Sequence, residues 1–395
     1  MAPPGALLLD LTRLASRAGR TRTGVDRVER AWLDACLADP RPVFGLARSP
    51  VGFVLLDRAG LARFAAASDA DDWGRPGPVA SLFRRLDPPR RAAQGLMRNI
   101  AVARAARPGL AALLRRHLPA GALYLNTGHA NLDDRVMRAV RAAGARIAVL
   151  VHDTIPLDLP AMARPGTVET FSAKLDVVAR HADRVIATAQ TTARAIAARL
   201  AERGRVPRIV VAPLGVTPAR PETAALPPGF DPSIPYMVAL GTIEPRKNHA
   251  LLLDVWERLE PEAPRLLICG ARGWNNREVF DRLDRGVAGV TEMPGLSDAA
   301  IAMLLARARA LLFPSLAEGY GLPPLEALAL GCPVICGDLA ICRELLGDHA
   351  VYCDPADRYQ WERAIRAHAA PPRLPPPRIA PPGWAAHVER ALDGL

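Results

Sequence analysis

Two basic residues and two acidic ones, set about 70 positions apart, are the residues of this sequence best suited to chemistry. Lysine and arginine together number 51, but only two are lysines, Lys174 and Lys247. Lys247 stands beside Arg246 in GTIEPRKNH, Gly241 to His249, directly after an apolar run that reads as a strand. A guanidinium offers a planar fork of donors and an ammonium a compact point charge, so the pair suits a diphosphate. Gly241 allows close backbone approach, and Pro245 stiffens the turn. A merely solvated basic pair is disfavoured here, because cations at a helix start oppose the helix dipole.

The acidic pair lies in FPSLAEGYGLPPLEALALGCPVI, Phe313 to Ile335. A strand is expected to end at Phe313–Pro314, a turn to carry Glu318, Gly319, Tyr320 and Gly321, and a helix to begin at Leu325. Backbone N–H groups from Gly319 to Leu322 would face an anion at that helix start. Glu318 on the loop and Glu326 in the first helical turn can accept hydrogen bonds from vicinal sugar hydroxyls. The four side chains together fit a nucleotide diphosphate sugar. Paired carboxylates also allow a glycosidase, but the neighbouring cations argue against it. The plain alternative is one capping and one solvated glutamate.

These residues must be held by strands and helices in alternation. Apolar runs that read as strands are Ala6–Leu11, Ala122–Leu125, Arg146–Val151, Arg184–Ala187, Ile209–Val211, Tyr236–Leu240, Arg265–Cys269, Ala310–Phe313, Pro333–Cys336 and Ala350–Tyr352. Longer Ala/Arg/Leu segments of helical period separate them, which implies α/β domains with parallel sheets. Seven prolines between Pro213 and Pro235 rule out a continuous helix or central strand there and mark a linker. The expected organisation is an N-terminal domain over 1–217, a C-terminal donor-binding domain over 218–370 and a tail over 371–395. That tail would be a Pro-rich stretch followed by an amphipathic helix from about Trp384. Two such domains would face each other across a cleft.

The two motifs together resemble the retaining glycosyltransferases of family 4, whose B-type fold has two Rossmann-like domains. ADRVIATAQTTARAI, VVAPLGV and ALLFPSLAEGYGLPPLEALALGCPVI follow in the order that family shows. The resemblance implies that Arg246 and Lys247 neutralise the leaving diphosphate, that Glu326 binds the ribose hydroxyls and that Glu318 contacts the transferred sugar. Gly241, Gly319, Tyr320, Gly321 and Leu322 would complete the donor site. Neither metal nor cofactor is expected, because the two cations take over the stabilisation of departing charge. The GTxEPRKN form resembles the mannosyltransferase-like branch, which implies mannose from GDP-mannose and, as acceptor, a hydroxyl of a polysaccharide, lipopolysaccharide or lipid-linked glycan. Rhamnose and glucose donors stay open.

The N-terminal half should line the other wall. Thr23, Gly24 and Val25 in TRTGVDRVER match a loop that faces the diphosphate and acceptor in that family, although Asp26 departs from a glycine-richer pattern. His152 and Asp153 end a strand in IAVLVHDTIPLDLP and match the family's His-Asp motif, which implies contact with the donor sugar; His152 is counted among the catalytic residues. Asn126 and His129 are weaker acceptor-side candidates. Glu344, beside Arg343, reads equally well as helix surface.

Bulk properties bound the rest. A chain of 395 residues and 42.3 kDa, half hydrophobic, is globular and long enough for about two domains. The net charge of +11 would ordinarily point to nucleic acid or an anionic surface. Here it reflects an Arg-, Ala- and Pro-rich composition, and nucleic acid is not the expected partner. From Arg84 to Leu118 nine arginines accompany one acid; the segment is either a peripheral membrane contact or an ordinary Arg-rich surface. No apolar run reaches the roughly 18–20 residues that span a bilayer, and Ala6–Leu9 makes a poor signal peptide, so the expected location is the cytoplasm. The six cysteines lack a paired C-x-x-C pattern and read as reduced, buried thiols. Rival readings are an epimerase or phosphorylase on the same fold, and a degenerate transferase that binds polyanions.

Overall fold

Short runs of Val, Ile and Leu form strands here because both faces of each run are covered, so near-continuous burial replaces alternation. The computed structural model describes residues 4–259, 263–369 and 379–395. Its first sheet contains β1 (Leu7–Asp10), β2 (Val43–Ser49), β3 (Gly52–Leu56), β4 (Ala103–Ala105), β5 (Leu123–Asn126), β6 (Arg146–Val151), β7 (Arg184–Ala187) and β8 (Arg208–Val211). The spatial order is β4-β3-β2-β1-β5-β6-β7-β8. Every pairing is parallel except β2 with β3 and β3 with β4, so this sheet is mixed at one edge, where wholly parallel sheets were expected.

The second sheet contains β9 (Tyr236–Leu240), β10 (Arg265–Cys269), β11 (Val290–Glu292), β12 (Leu311–Phe313), β13 (Val334–Gly337) and β14 (Val351–Cys353). Its order is β11-β10-β9-β12-β13-β14, parallel throughout. From β9 the chain moves to β10 on one side and later returns to β12 on the other. The carboxyl ends of β9 and β12 therefore flank a switch point, the place where open α/β sheets bind ligands. Helices pack on this sheet through Leu252, Val255 and Trp361, all fully buried.

Two compact units divide the chain. The first comprises Met1–His152, Glu169–Leu214 and Trp384–Leu395, and the second Asp153–Val168 and Gly215–Gly383. The division near Leu214 falls three residues before the expected boundary. The terminal helix, Trp384–Leu392, is not a separate tail but part of the first unit. His387 donates from its ring to the Ala212 carbonyl at 3.0 Å, Trp32 and Trp384 meet its ring edge-on at 5.4 and 5.5 Å, and the buried Arg184 donates to the Ala391 carbonyl at 2.9 Å. Residues 370–378 of the Pro-rich stretch lie outside the described residues.

The Arg-rich segment folds into the helices Pro88–Ile100 and Leu110–His117. Met97, Ile100, Leu110, Leu113 and Leu114 are buried in the first unit, so the apolar stripe that a membrane contact requires is covered by protein. All six cysteines are buried and none forms a disulfide. Among the described residues no helix is long and apolar enough to cross a membrane.

Candidate functional site

In the second unit the switch point draws the two motifs together. After β9 the backbone turns at Gly241, whose φ of +140° favours glycine. A Cβ there would also lie 3.3 Å from Cε of Lys247, so the lysine side chain runs across this glycine. A short helical turn, Pro245–Lys247, ends at Asn248 in the left-handed region and opens the helix His249–Trp256. Because β12 is hydrogen-bonded beside β9, the loop after β12 passes over this turn, and the Leu316 N–H donates to the Arg246 carbonyl at 2.8 Å.

Glu318 then binds both cations at once. Its carboxylate oxygens lie 2.6 Å from Lys247 Nζ and 2.8 Å from an Arg246 nitrogen. Arg246 also meets Glu244 at 2.7 Å and donates to the Ala317 carbonyl at 2.7 Å, while Lys247 Nζ lies 4.5 Å from the centre of the Phe313 ring. Burial raises the Glu318 carboxyl, but the charges of Lys247 and Arg246 outweigh it and hold it below the usual range. Burial lowers the Arg246 guanidinium, and Glu318 and Glu244 more than reverse this. Lys247 stays below its ordinary value, with burial the main cause. Asp153 belongs to this unit; burial raises its carboxyl against the charge of Arg246, and it accepts the Ile155 N–H at 3.1 Å.

The helix after the EGYG turn starts earlier than expected. It runs Leu322–Ala329, with Gly321 at its N-cap at φ +119° and both prolines in its first turn. Proline is tolerated there because first-turn N–H groups have no helical acceptor. Pro323 and Pro324 thereby remove two of the donors a helix start usually presents. Glu326 falls in the second turn rather than the first, and it is buried, as is Tyr320. Glu344 and Arg343 are exposed, with Arg343 paired to Asp338 at 2.7 Å.

In the first unit Thr23 is the N-cap of the helix Gly24–Ala38. Thr23 and Gly24 are exposed and Val25 half-buried. Asp26, which seemed a departure from the pattern, proves to be the anchor of this loop. Its buried carboxylate accepts the Thr23 N–H at 2.7 Å and the Thr23 hydroxyl at 2.8 Å, and receives Arg13 Nε at 3.0 Å and Arg17 Nε at 3.1 Å. The T-x-x-D spacing of a capping box was the sequence signal for it; Arg13 and Arg17 had none.

His152 directly follows β6 and donates from Nε2 to the Thr127 carbonyl at 2.7 Å. His129, at φ +59°, donates from Nε2 to the Leu150 carbonyl at 2.9 Å. A carbonyl can only accept, so both rings carry the proton on Nε2 and keep Nδ1 as an acceptor. The rings lie 5.3 Å apart, and burial pushes His152 down to about 4 and His129 to about 3. Asn126 is fully buried: it accepts the His129 N–H at 3.0 Å and donates to the Tyr124 hydroxyl at 3.0 Å. It shapes the loop that follows β5. Beneath that loop lies Glu29, 1% exposed, with neither oxygen hydrogen-bonded among the described residues. A Cβ on Gly128 would come within 1.9 Å of Glu29 Oε1, and burial pushes the Glu29 carboxyl up to about 9.

Residues 227–370, all in the second unit, match the model of the family described as Glycosyl transferases group 1. The serotype-specific mannosyltransferase WbdA of Escherichia coli is 33% identical over 239 residues, 55% of this chain and 29% of WbdA. The O-antigen chain mannosyltransferase B of Escherichia coli is 35% identical over 138 residues, 34% of this chain and 35% of that protein. The matches thus span about a third of the length of these relatives. Among solved structures, Anabaena Alr3699/HepE in complex with UDP superposes with a TM-score of 0.59 at 13% identity, covering 92% of this chain and 89% of that one. The Escherichia coli trehalose-6-phosphate structure bound with UDP-2-fluoro glucose gives a TM-score of 0.57 at 14% identity, covering 98% and 94%. At such identities the superpositions speak for the fold alone: two Rossmann-like domains of the B-type glycosyltransferase kind, the second of which carries the Glycosyl transferases group 1 pattern.

Proposed function

We propose that this chain is a retaining glycosyltransferase that moves a hexose from a nucleotide diphosphate sugar to a glycan hydroxyl. The observation that carries the reading is the buried trio at the switch point of the second sheet, where Glu318 joins Arg246 and Lys247 within 2.8 Å. Cations already desolvated and fixed in place stabilise charge that develops on a departing diphosphate without having to reorganise. Glu318 holds the pair in register and contacts the transferred sugar. Asp153 and His152 contact the donor sugar, and Glu326 the ribose. No metal and no organic cofactor take part, and no carboxylate becomes covalently attached to the sugar.

Mannose from GDP-mannose is the proposed donor. The mannosyltransferase names of the relatives and the GTIEPRKN form of the first motif support it. The proposed acceptor is a growing polysaccharide, of the O-antigen kind named for those relatives or lipid-linked, handled in the cytoplasm.

A thermal-shift panel of GDP, UDP, dTDP and their sugars, run in EDTA on wild type and Lys247→Ala, tests this. Ligand at 100 times its Kd stabilises a fold by about 2.7 kcal/mol. A GDP-specific shift that Lys247→Ala abolishes is expected. A shift confined to UDP or dTDP compounds would replace mannose by glucose or rhamnose, and no shift with any nucleotide would sink the transferase reading.

A further inference from the structure

Trp274 makes a tie in the second unit that the donor motifs leave unused. It stands in GARGWNN, the loop between β10 and the helix Arg277–Arg285. That loop is bonded to the loop of the two cations. The Gly241 N–H donates to the Cys269 carbonyl at 3.0 Å, the Ile243 N–H to the Ala271 carbonyl at 3.0 Å and the Gly273 N–H to the Ile243 carbonyl at 3.1 Å. The approach is so close that a Cβ on Gly270 would lie 1.9 Å from the Gly241 carbonyl oxygen. Whatever Trp274 holds is therefore held in register with the loop of Arg246 and Lys247.

What it holds is the segment that starts at Asp153. Trp274 Nε1 donates to the Met162 carbonyl at 3.1 Å, the Asn275 amide donates to the Ala163 carbonyl at 3.4 Å, and the Arg164 guanidinium lies 4.0 Å from the centre of the Trp274 ring. Hydrogen bonds then lead back along the chain. The Met162 N–H donates to the Leu159 carbonyl at 3.0 Å, the Leu159 N–H to the Ile155 carbonyl at 2.8 Å and the Ile155 N–H to the Asp153 carboxylate at 3.1 Å. The two helical turns in this relay, Ile155–Asp158 and Pro160–Met162, contain no buried residue, and helical pieces so short do not hold themselves in water. Their position comes from what they are bound to. All of these residues belong to the second unit.

We infer that Trp274 is a positioning residue for the donor sugar: it clamps the turns that follow Asp153 onto the loop after β10 and so fixes where the Asp153 carboxylate stands. The indole supplies both an N–H for the Met162 carbonyl and a ring face for Arg164, a combination that phenylalanine and leucine lack. The inference rests on the proposed contact of Asp153 with the donor sugar; the clamp itself does not.

Amide hydrogen exchange on the full chain without ligand tests the clamp. In Trp274→Leu the amides of Leu159, Met162 and Ala163 are expected to exchange about tenfold faster or more as the segment opens locally, with β9 and β10 as protected as in wild type. Trp274→Phe, which keeps a ring under Arg164, and Arg164→Gln should each give a smaller rise at the same amides, and they decide the matter if Trp274→Leu does not fold. Unchanged exchange, or a rise that spreads through β9 and β10, overturns the clamp. Calorimetric titration of GDP and GDP-mannose tests its purpose. Trp274→Leu, or Trp274→Phe in its place, and Asp153→Asn are each expected to weaken GDP-mannose about tenfold, the scale of one hydrogen bond to a charged group. GDP affinity should hold, and the double variant should lose no more than either single one. Additive losses, an equal loss of GDP, or Asp153→Asn binding GDP-mannose as wild type does would overturn the positioning role. Wild type binding neither ligand would instead sink the proposed donor, and exchange would still decide the clamp.

Discussion

Glu318 makes opposite demands on turnover and affinity. It fixes Arg246 and Lys247 in place, yet its charge also offsets theirs before a diphosphate arrives. Replacing it with an isosteric neutral residue should therefore separate the two. Glu318→Gln is expected to lower kcat by about 100-fold or more, the cost typical of losing one transition-state stabiliser, while GDP affinity holds or rises. Calorimetric titration beside steady-state kinetics checks this; a matched loss of affinity with kcat unchanged would make Glu318 a nucleotide ligand only. Glu29 gives a prediction of different kind. Its folded value of about 9 stands above its ordinary 4.5, so the folded chain holds a proton that the unfolded chain releases, and stability falls as pH rises from about 4.5 to 9. The slope is about 1.4 kcal/mol per pH unit at most. His129 and His152, held below 6.5, act oppositely: their stabilisation is full above about 6.5 and is lost as pH falls toward 4. Denaturant midpoints for wild type and Glu29→Gln should diverge between pH 5 and 9, the variant losing less; parallel curves would mean that Glu29 is ionised. That Arg246, Lys247 and Glu318 could gather at one sheet edge was legible in the sequence, because both motifs directly follow apolar runs that read as strands. The roles of Asp26, Arg13 and Glu29 were not, because each depends on a neighbour that only tertiary folding supplies.

At the scale of elements, strand order does what the motifs cannot do alone. Residues 241–249 and 313–326 meet because β9 and β12 are adjacent on either side of a reversal in order. Gly241→Ala is expected to strain a φ of +140° and to press a methyl on the Lys247 stem 3.3 Å away. Strain of that kind costs about 1–3 kcal/mol, and activity should fall more than melting temperature indicates because the methyl displaces the lysine. A variant with full kcat and a slightly lowered Tm would show that the stem moves freely. The ten strands expected from apolar runs are all present, four with the expected ends and six with one or both ends shifted by one residue. Those missed fall in two groups. β2 and β3 are largely buried but form a short antiparallel hairpin that turns at Pro50 and Val51, and β4 and β11 have three residues each and sit at sheet edges. The register of β4 and β11 comes from neighbours rather than from a buried run of their own. The early helix start at Leu322 was hidden for a similar reason, since two prolines look like a break until Gly321 supplies a left-handed cap.

At the scale of the whole molecule, the last dozen residues are structural members of the first unit. Trp32 is fully buried and borders His387, and removing a cover from a large apolar side chain costs about 1.5–3 kcal/mol. A chain truncated after Gly383 should therefore exchange amide hydrogens faster in Gly24–Ala38 and in β8, with the second sheet unchanged. Uniform protection in both units would mean that the helix is an ornament. The two-unit organisation was readable from the prolines after Pro213, but membership of the tail was not, because nothing local in GWAAHVERALDGL says which sheet it covers. The route of the chain has a practical meaning for engineering. Most of the second unit is an insert between Leu214 and Trp384, so a chimaera made by joining one relative's front half to another's back half would mismatch the closing helix with its own Trp32. Grafting 215–383 as a cassette, and leaving both flanks native, would keep that seal intact while exchanging the second sheet.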